Sequence, residues 1–407
     1  LLTTKRTKNT KGSDDSDSEF RALRGLRGEN ILTVNRREPE KMTDNSIRII
    51  DIDGHVREAD DLFEKYLEAP FRARAPKIEK VANGQLLFRL EGDRHHRRPD
   101  ESPFRIKTDG SPVNEGRHLA TNPKQRLEAM DRDRIERGLL FPSAGLYLPS
   151  VREEAYAAAL CRAYNNWLYD YCGLDRKRLM GVATVPVQDV KLAIDEAKRA
   201  VKELGFKGVF IRPNPVKGRN IDDPYYDPLY KTVVELGVPL LIHEGSGAFM
   251  PTAGADRFVG QWFFTHTISH PLEQMLASLS LICRGALERH PELQCVFLES
   301  GAGWLPYWLW RMDEHHEVLP FQVPWLKMKP SDYFRRQCFV SFEADETRLG
   351  EVISSIGADH VVFASDYPHW DATFPGVTDM IINRKDLDID TQCKIMGANA
   401  AKLLKLD

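Results

Sequence analysis

The sequence predicts an α/β fold, a closed (β/α)8 TIM barrel with an insertion after its first strand and a disordered polar tail ahead of it. Three observations lead there. Eight short, nearly continuous apolar segments run along the chain, segments with helical apolar spacing separate them, and most of the apolar segments end in an ionisable residue.

In chain order, residues 1–45 are rich in Lys, Arg, Asp, Ser, Asn and Thr and bury too little apolar surface to offset their ordering entropy, so they read as a disordered tail. Its basic run Lys5-Arg6-Thr7-Lys8 is short enough to be plain solvated charge. Residues 46–407 read as the barrel. Ile47, Ile49 and Ile50 open the first strand, which continues into Asp51-Ile52-Asp53-Gly54-His55. A strand's period of two puts Asp51, Asp53 and His55 on one face, a set that a hydrophobic core has no use for and a divalent cation would satisfy. An insertion at 59–120 follows, with a helical segment at 59–67 and a hairpin from Lys77 to Leu90 around Asn83-Gly84. His95 and His96 read as loop, because neighbours in a strand would face opposite ways. Then helix and strand alternate. Helical spacing covers 123–137, 153–171, 190–204, 228–236, 270–289 and 346–356. Apolar strands fall at 138–142, 181–186, 208–212, 238–243, 295–299, 338–343 and 361–366. An open doubly wound sheet is the competing architecture; no G-x-G-x-x-G or G-x-x-x-x-G-K-[ST] loop follows any strand to support a nucleotide site in it.

Composition narrows the function classes. With 42% hydrophobic residues the chain can build a large core, and a net charge of -3 offers no electrostatic footprint for nucleic acid or an acidic membrane. Small-molecule chemistry is the expectation. The six cysteines are scattered without tight spacing, no apolar run is long enough to cross a bilayer, and no charged-then-apolar leader opens the chain, which together read as a cytoplasmic protein.

Barrel chemistry sits at the C-terminal strand ends. The first strand ends in Asp53 and His55, the fourth in Arg212, the fifth in His243, the sixth in Glu299, the seventh in Glu343 and the eighth in Asp366. Any one of these alone reads as a hydrogen-bonded core residue; six strands ending alike read as a site. Asp53, His55, His243 and Asp366 form a mixed nitrogen and oxygen set for one divalent metal, zinc by donor type, with manganese or iron fitting a wider geometry. Such a centre activates water or polarises a substrate oxygen. His270 opens the helix after the fifth strand, where its ring reaches the mouth or caps the helix. His369 and Trp370 lie in the loop after Asp366 and line a substrate pocket, with Arg212 as a clamp for a carboxylate. Trp304, Trp308 and Trp310 fit a core or a subunit interface, hence a homodimer.

Asp53-x-His55, Ile242-His243, Arg289-His290-Pro291-x-Leu293, Phe363-Ala364-Ser365-Asp366-Tyr367-Pro368-His369-Trp370 and Gly397-x-Asn399-Ala400 together resemble the amidohydrolase-related family of the amidohydrolase superfamily, which includes aminocarboxymuconate-semialdehyde and resorcylate decarboxylases. The resemblance spans residues 46–407 and implies a (β/α)8 barrel, one divalent metal at the strand ends, and Asp366 as ligand and proton carrier. It selects Asp53 and His55 as the pair from the first strand, leaving Asp51 deeper in the barrel and Glu58 in the loop. Two positions depart from the family pattern. Asp53 stands where His or Glu is usual, and Glu299 stands where the decarboxylases carry a histidine. Since a carboxylate lacks the cationic form of histidine, the leading reading is a metal-dependent hydrolase of an amide, ester or thioester, with Asp366 and Glu299 catalytic. The alternatives are a non-oxidative decarboxylase of an aromatic or enoic acid and a non-catalytic metal-binding barrel.

Overall fold

The computed structural model describes residues 47–80, 86–91, 94–97, 120–246, 250–255, 257–258 and 262–407; the predicted tail and the Asn83-Gly84 turn lie outside them. The first strand, β1 (Ile50–His55), is followed by the insertion: α1 (Leu62–Tyr66) and an antiparallel sheet of β2 (Lys77–Lys80), β3 (Leu86–Glu91) and β4 (Arg94–Arg97). His95 and His96 therefore belong to a strand and not to the expected loop, because β4 completes its hydrogen bonding on the edge of β3.

From α2 (Pro123–Arg132) the alternation is regular: β5 (Arg137–Phe141), α3 (Glu154–Tyr171), β6 (Leu179–Gly181), β7 (Ala183–Thr184), α4 (Val190–Lys202), β8 (Val209–Ile211), α5 (Asp227–Leu236), β9 (Leu240–His243), α6 (Trp262–Cys283), α7 (Ala286–Arg289), β10 (Cys295–Leu298), α8 (Leu305–Val318), β11 (Cys338–Phe342) and β12 (Val361–Phe363). Helix starts are marked in the sequence: Asn122 caps α2 through bonds from the Lys124 and Gln125 amides, with Pro123 first in the helix, and Asp189 caps α4 in the same way.

All these barrel strands are parallel. β6 and β7 are one strand that changes neighbour at Val182: β6 pairs with β5 and β7 with β8, so the two ladders join. The ring closes between β1 and the chain leaving β12, where Asp366 N donates to Asp53 O at 2.8 Å and His55 N to Tyr367 O at 2.7 Å. Among the described residues this makes the eight-stranded barrel predicted from the sequence.

The core has two layers. Inside the barrel, Ile50, Ile52, Phe141, Val182, Phe210, Leu241, Leu298 and Val362 pack together, and Ala400, Leu403 and Leu404 of the C-terminal helix join them. The larger layer fills the space between strands and helices. Gly397 seats the C-terminal segment: a Cβ there would lie 2.0 Å from the Arg48 carbonyl oxygen, so no side chain fits, while Asn399 Nδ2 donates to Ala358 O at 2.7 Å and Val361 O at 2.8 Å.

One irregularity decides where the chemistry goes. β1 contains a bulge between Asp51 and Gly54: Asp51 pairs with Gly138 but Gly54 with Leu140, so one extra residue enters β1. Ile50 and Ile52 face the lumen, and Asp51 faces out towards α2, accepting from Ser365 N at 2.9 Å and Ser365 Oγ at 2.6 Å. The bulge then returns Asp53 and His55 to the lumen side. Strict alternation, which would put all three on one face with Asp51 deeper in the barrel, fails here for that reason.

A candidate metal centre at the strand ends

His55 and His243 are both fully buried, and their ring orientations are fixed from behind. His55 Nδ1 lies 2.7 Å from Pro142 O and His243 Nδ1 lies 2.5 Å from Glu244 O. A carbonyl only accepts, so each Nδ1 carries a hydrogen and each Nε2 is the nitrogen turned to the centre. The two Nε2 atoms are 3.1 Å apart. Asp53 Oδ1 is 3.4 Å from each, and Asp366 Oδ1 is 3.4 Å from His55 Nε2. The four donors that the sequence singled out thus converge on one point. Neither oxygen of the buried Asp53 carboxylate makes a hydrogen bond within the chain.

This arrangement fits a divalent cation. Two lone-pair nitrogens face to face, beside carboxylates held from water, are a strained set unless a positive charge sits between them. Burial disfavours a charged ring here, but the Asp53 and Glu299 carboxylates prevail and push the His243 imidazole up to about 10. The counterpart is Asp53: burial would raise it, yet the His243 and His55 imidazoles hold it well below the usual carboxylate range. Burial lowers His55, so of the two rings it is His243 that takes the proton. A metal ion entering here releases that proton.

Glu299 and Asp366 both sit at strand ends in the left-handed region, with φ of 50° each. That backbone turn aims Glu299 at the centre: Oε2 is 2.9 Å from His243 Nε2 and 3.9 Å from His55 Nε2. Burial, partly countered by His243, pushes the Glu299 carboxyl up to about 7. Burial together with the charge of Glu299 raises Asp366 well above its ordinary value. His369 does more than line a pocket: Nδ1 is 2.7 Å from Asp366 Oδ1, Nε2 is 3.2 Å from Ser143 Oγ, and its ring lies 3.9 Å from that of His55.

Two expected substrate contacts are placed differently. Arg212 is buried, donating to Asn214 Oδ1 at 3.0 Å, Leu146 O at 2.9 Å and Glu244 Oε1 at 2.6 Å, so its guanidinium braces the loops under the site and is not poised as an open clamp. Arg212→Leu should cost about 3–5 kcal/mol, because it leaves a buried carboxylate without its cation; urea unfolding measures this, and the double change with Glu244→Leu should recover much of the loss. His270 does not open a helix. α6 begins eight residues earlier, at Trp262, and passes through Pro271 at the cost of one backbone bond. His270 Nδ1 donates to Glu299 O at 2.9 Å, its Nε2 is 3.1 Å from Ser246 Oγ, and burial, with His266 nearby, lowers it to about 3, so it is a neutral ring bracing Glu299. Trp370 is half-buried, edge-on to His266 at 5.3 Å.

Residues outside the predicted site complete the surroundings. Glu58, assigned to the loop, accepts from the Ser143, Ala144 and Gly145 amides at 2.9–3.0 Å and so fixes the turn carrying Ser143. Arg126 of α2 donates to His55 O at 2.9 Å and Tyr367 O at 3.0 Å, holding the seam between β1 and the Asp366 loop. His266 packs 4.4 Å from His270. Only His266 had a readable signal, the four-residue helical spacing His266–His270. Trp304 and Trp308 turn inward, bonding to Gly301 O and Met275 O, while Trp310 is 56% exposed.

Known proteins resemble this chain in sequence and in fold. The amidohydrolase family model matches residues 50–406. The chain is 28% identical over 291 residues to a gamma-resorcylate decarboxylase of Polaromonas sp. strain JS666, covering 70% of this chain and 87% of that protein. An amidohydrolase structure from Mycobacterium avium subsp. paratuberculosis K-10 superposes with a TM-score of 0.72 at 24% identity, covering 88% of this chain and 99% of the other. A dihydroxybenzoic acid decarboxylase structure from Polaromonas sp. JS666, with bound manganese and the inhibitor 2-nitroresorcinol, gives a TM-score of 0.66 at 22% identity and covers 88% and 97%. The chain belongs to the amidohydrolase family, as an enzyme of that superfamily.

Proposed function

We propose that this protein is a metal-dependent, non-oxidative decarboxylase of a small aromatic or enoic acid. The similarity to decarboxylases over 70% of the chain favours this above hydrolysis, the leading reading from sequence. The observation that carries it is Glu299. On sequence, a carboxylate at this position counted against decarboxylation for want of a proton to give; buried to nine-tenths, 2.9 Å from His243 Nε2 and pushed up to about 7 by burial, it is divided between protonated and ionised forms near neutral pH and can both give and take a proton.

A cation held by Asp53, His55, His243 and Asp366, manganese by analogy with the decarboxylase structure or zinc or iron by donor type, would neutralise and polarise the oxygens of the bound acid. In the reaction the bond between the carbon and its carboxylate breaks, the carbon keeps the electron pair, carbon dioxide leaves, and a proton replaces it. Glu299 and Asp366, on neighbouring sides of the centre, are the groups that deliver that proton. His270 holds the Glu299 backbone, and His369, tethered to Ser143, holds Asp366.

The test is product analysis with metal-loaded protein on hydroxybenzoates and enoic acids, following carbon dioxide. Turnover that needs protonated Glu299 falls as pH rises through about 7, whereas hydrolysis using the same group as a base rises over that range. Glu299→Gln should lower kcat by roughly 10²–10⁴ and remove that limb of the profile. Ester or amide cleavage without carbon dioxide, or a profile rising through neutrality, would decide for hydrolysis.

A further inference from the structure

Glu343 is the strand-end carboxyl that the metal centre does not account for. It follows β11, which lies between β10 and β12. Along β11, Val340 and Phe342 face the layer under the helices, while Phe339 packs against the barrel interior and Ser341 Oγ accepts from Glu299 N at 3.2 Å. A period of two therefore puts Glu343 on the lumen side of the rim, between the strand ends that carry Glu299 and Asp366. Its main chain is held in place. Glu346 Oε2 accepts from Glu343 N at 3.3 Å and Glu346 N donates to Glu343 O at 3.0 Å, while the Glu346 carboxylate is occupied by the Ala302 and Gly303 amides. The Glu343 carboxyl itself, half-buried, makes no hydrogen bond or ion pair with a described residue. Nor does any described Lys or Arg pair with Asp53, Glu299, Asp366 or Asp371; among the described residues their ion-pair partners are imidazoles, and Arg212 is neutralised by Glu244. Burial, with Asp371, Glu299, Asp53 and Glu346 close by, raises the Glu343 carboxyl well above its ordinary value. A carboxyl meant only for water belongs on the open surface. This one is folded in among its own kind, an arrangement that costs stability until a positive charge joins it.

We propose that Glu343 is a specificity residue that binds a protonated amine on the substrate, so that the acid taken by this enzyme carries a cation at the end away from its carboxylate. The proposal rests on reading the centre as a site for a small organic acid and names the substituent that the acid bears. The carboxylate of such a molecule belongs beside Asp53, His55, His243 and Asp366, and its ammonium group donates to Glu343, with Asp371 of the neighbouring loop adding to the field. Carboxylates lining one mouth draw a cation in from solution. They also work against the wrong ligand: a second carboxylate on the substrate would meet like charge at Glu343 and find no free guanidinium, since Arg212 is already paired with Glu244 at 2.6 Å.

Isothermal titration calorimetry of the full, metal-loaded chain with benzoate, meta-(aminomethyl)benzoate and isophthalate tests this without turnover. The aminomethyl compound should bind roughly tenfold tighter than benzoate and isophthalate roughly tenfold weaker, as befits a close charge pair and a like-charge contact. Glu343→Gln keeps the shape and removes the charge, so the three affinities should come within about threefold of one another, with metal content and melting temperature unchanged. Glu343→Asp should restore part of the preference. Equal affinities or no measurable binding in the wild type overturn the proposal, and so does a preference for the aminomethyl compound that survives Glu343→Gln. Carbon dioxide is not the readout, so a chain that hydrolyses its substrate and does not decarboxylate it would leave the selectivity standing.

Discussion

His243→Ala should empty the metal centre. The substitution removes one of two nitrogen donors and the group that keeps Asp53 ionised in a fully buried site. Bound metal, measured by elemental analysis after dialysis, is expected to fall from about one equivalent to near none, and turnover by roughly 10³-fold or more, since removing a single preorganised charge-stabilising group already costs about 10²–10³. The metal-free variant should also change its pH dependence of stability. His243 is the largest favourable influence on the Asp53 carboxylate, so its loss should shrink the stabilisation that this group contributes above its unfolded pKa and that is lost as pH falls. Retention of stoichiometric metal in His243→Ala would remove the centre described above.

Gly54→Ala should be nearly as damaging although Gly54 bears no chemistry. Its missing Cβ would stand 2.3 Å from Arg126 Nη2 and 2.7 Å from Asp51 Oδ2. Arg126 is 1% exposed and tied to His55 O and Tyr367 O, so it cannot swing aside without giving up charge-assisted bonds across the barrel seam. Overpacking with the loss of one such bond amounts to about 3 kcal/mol, visible as a melting temperature lower by roughly 3–5 °C. Because the seam also sets Asp53 and Asp366 through the Asp366 N to Asp53 O bond, metal affinity should fall about 10–100-fold. A variant melting within about 1 °C of wild type, less than 1 kcal/mol on this scale, would show that the bulge has slack.

The barrel and its four converging donors were legible in the chain because both follow from short-range rules. A period of two, helices between strands, and polar residues closing apolar runs are local patterns, and a closed parallel barrel puts every strand end on one rim. Local patterns put Asp53, His55, His243 and Asp366 among the strand-end residues, and the family resemblance separated Asp53 and His55 from Asp51. Their convergence within 3.1–3.4 Å of His55 Nε2 is supplied by closure.

What tertiary structure alone decided are orientations and partners. The bulge that turns Asp51 outward is one extra residue in one strand, and nothing in Asp-Ile-Asp-Gly-His marks it except the glycine that Arg126, more than 70 residues later, requires. Arg212 looked like an open clamp because its neutralising Glu244 stands on a different strand end. Glu299 looked like a poor proton donor because a carboxyl in sequence carries its ordinary pKa, and only burial against its surroundings moves it to about 7. Residue type and spacing are fixed by covalent order, whereas protonation and hydrogen bonding depend on what the closed barrel brings alongside.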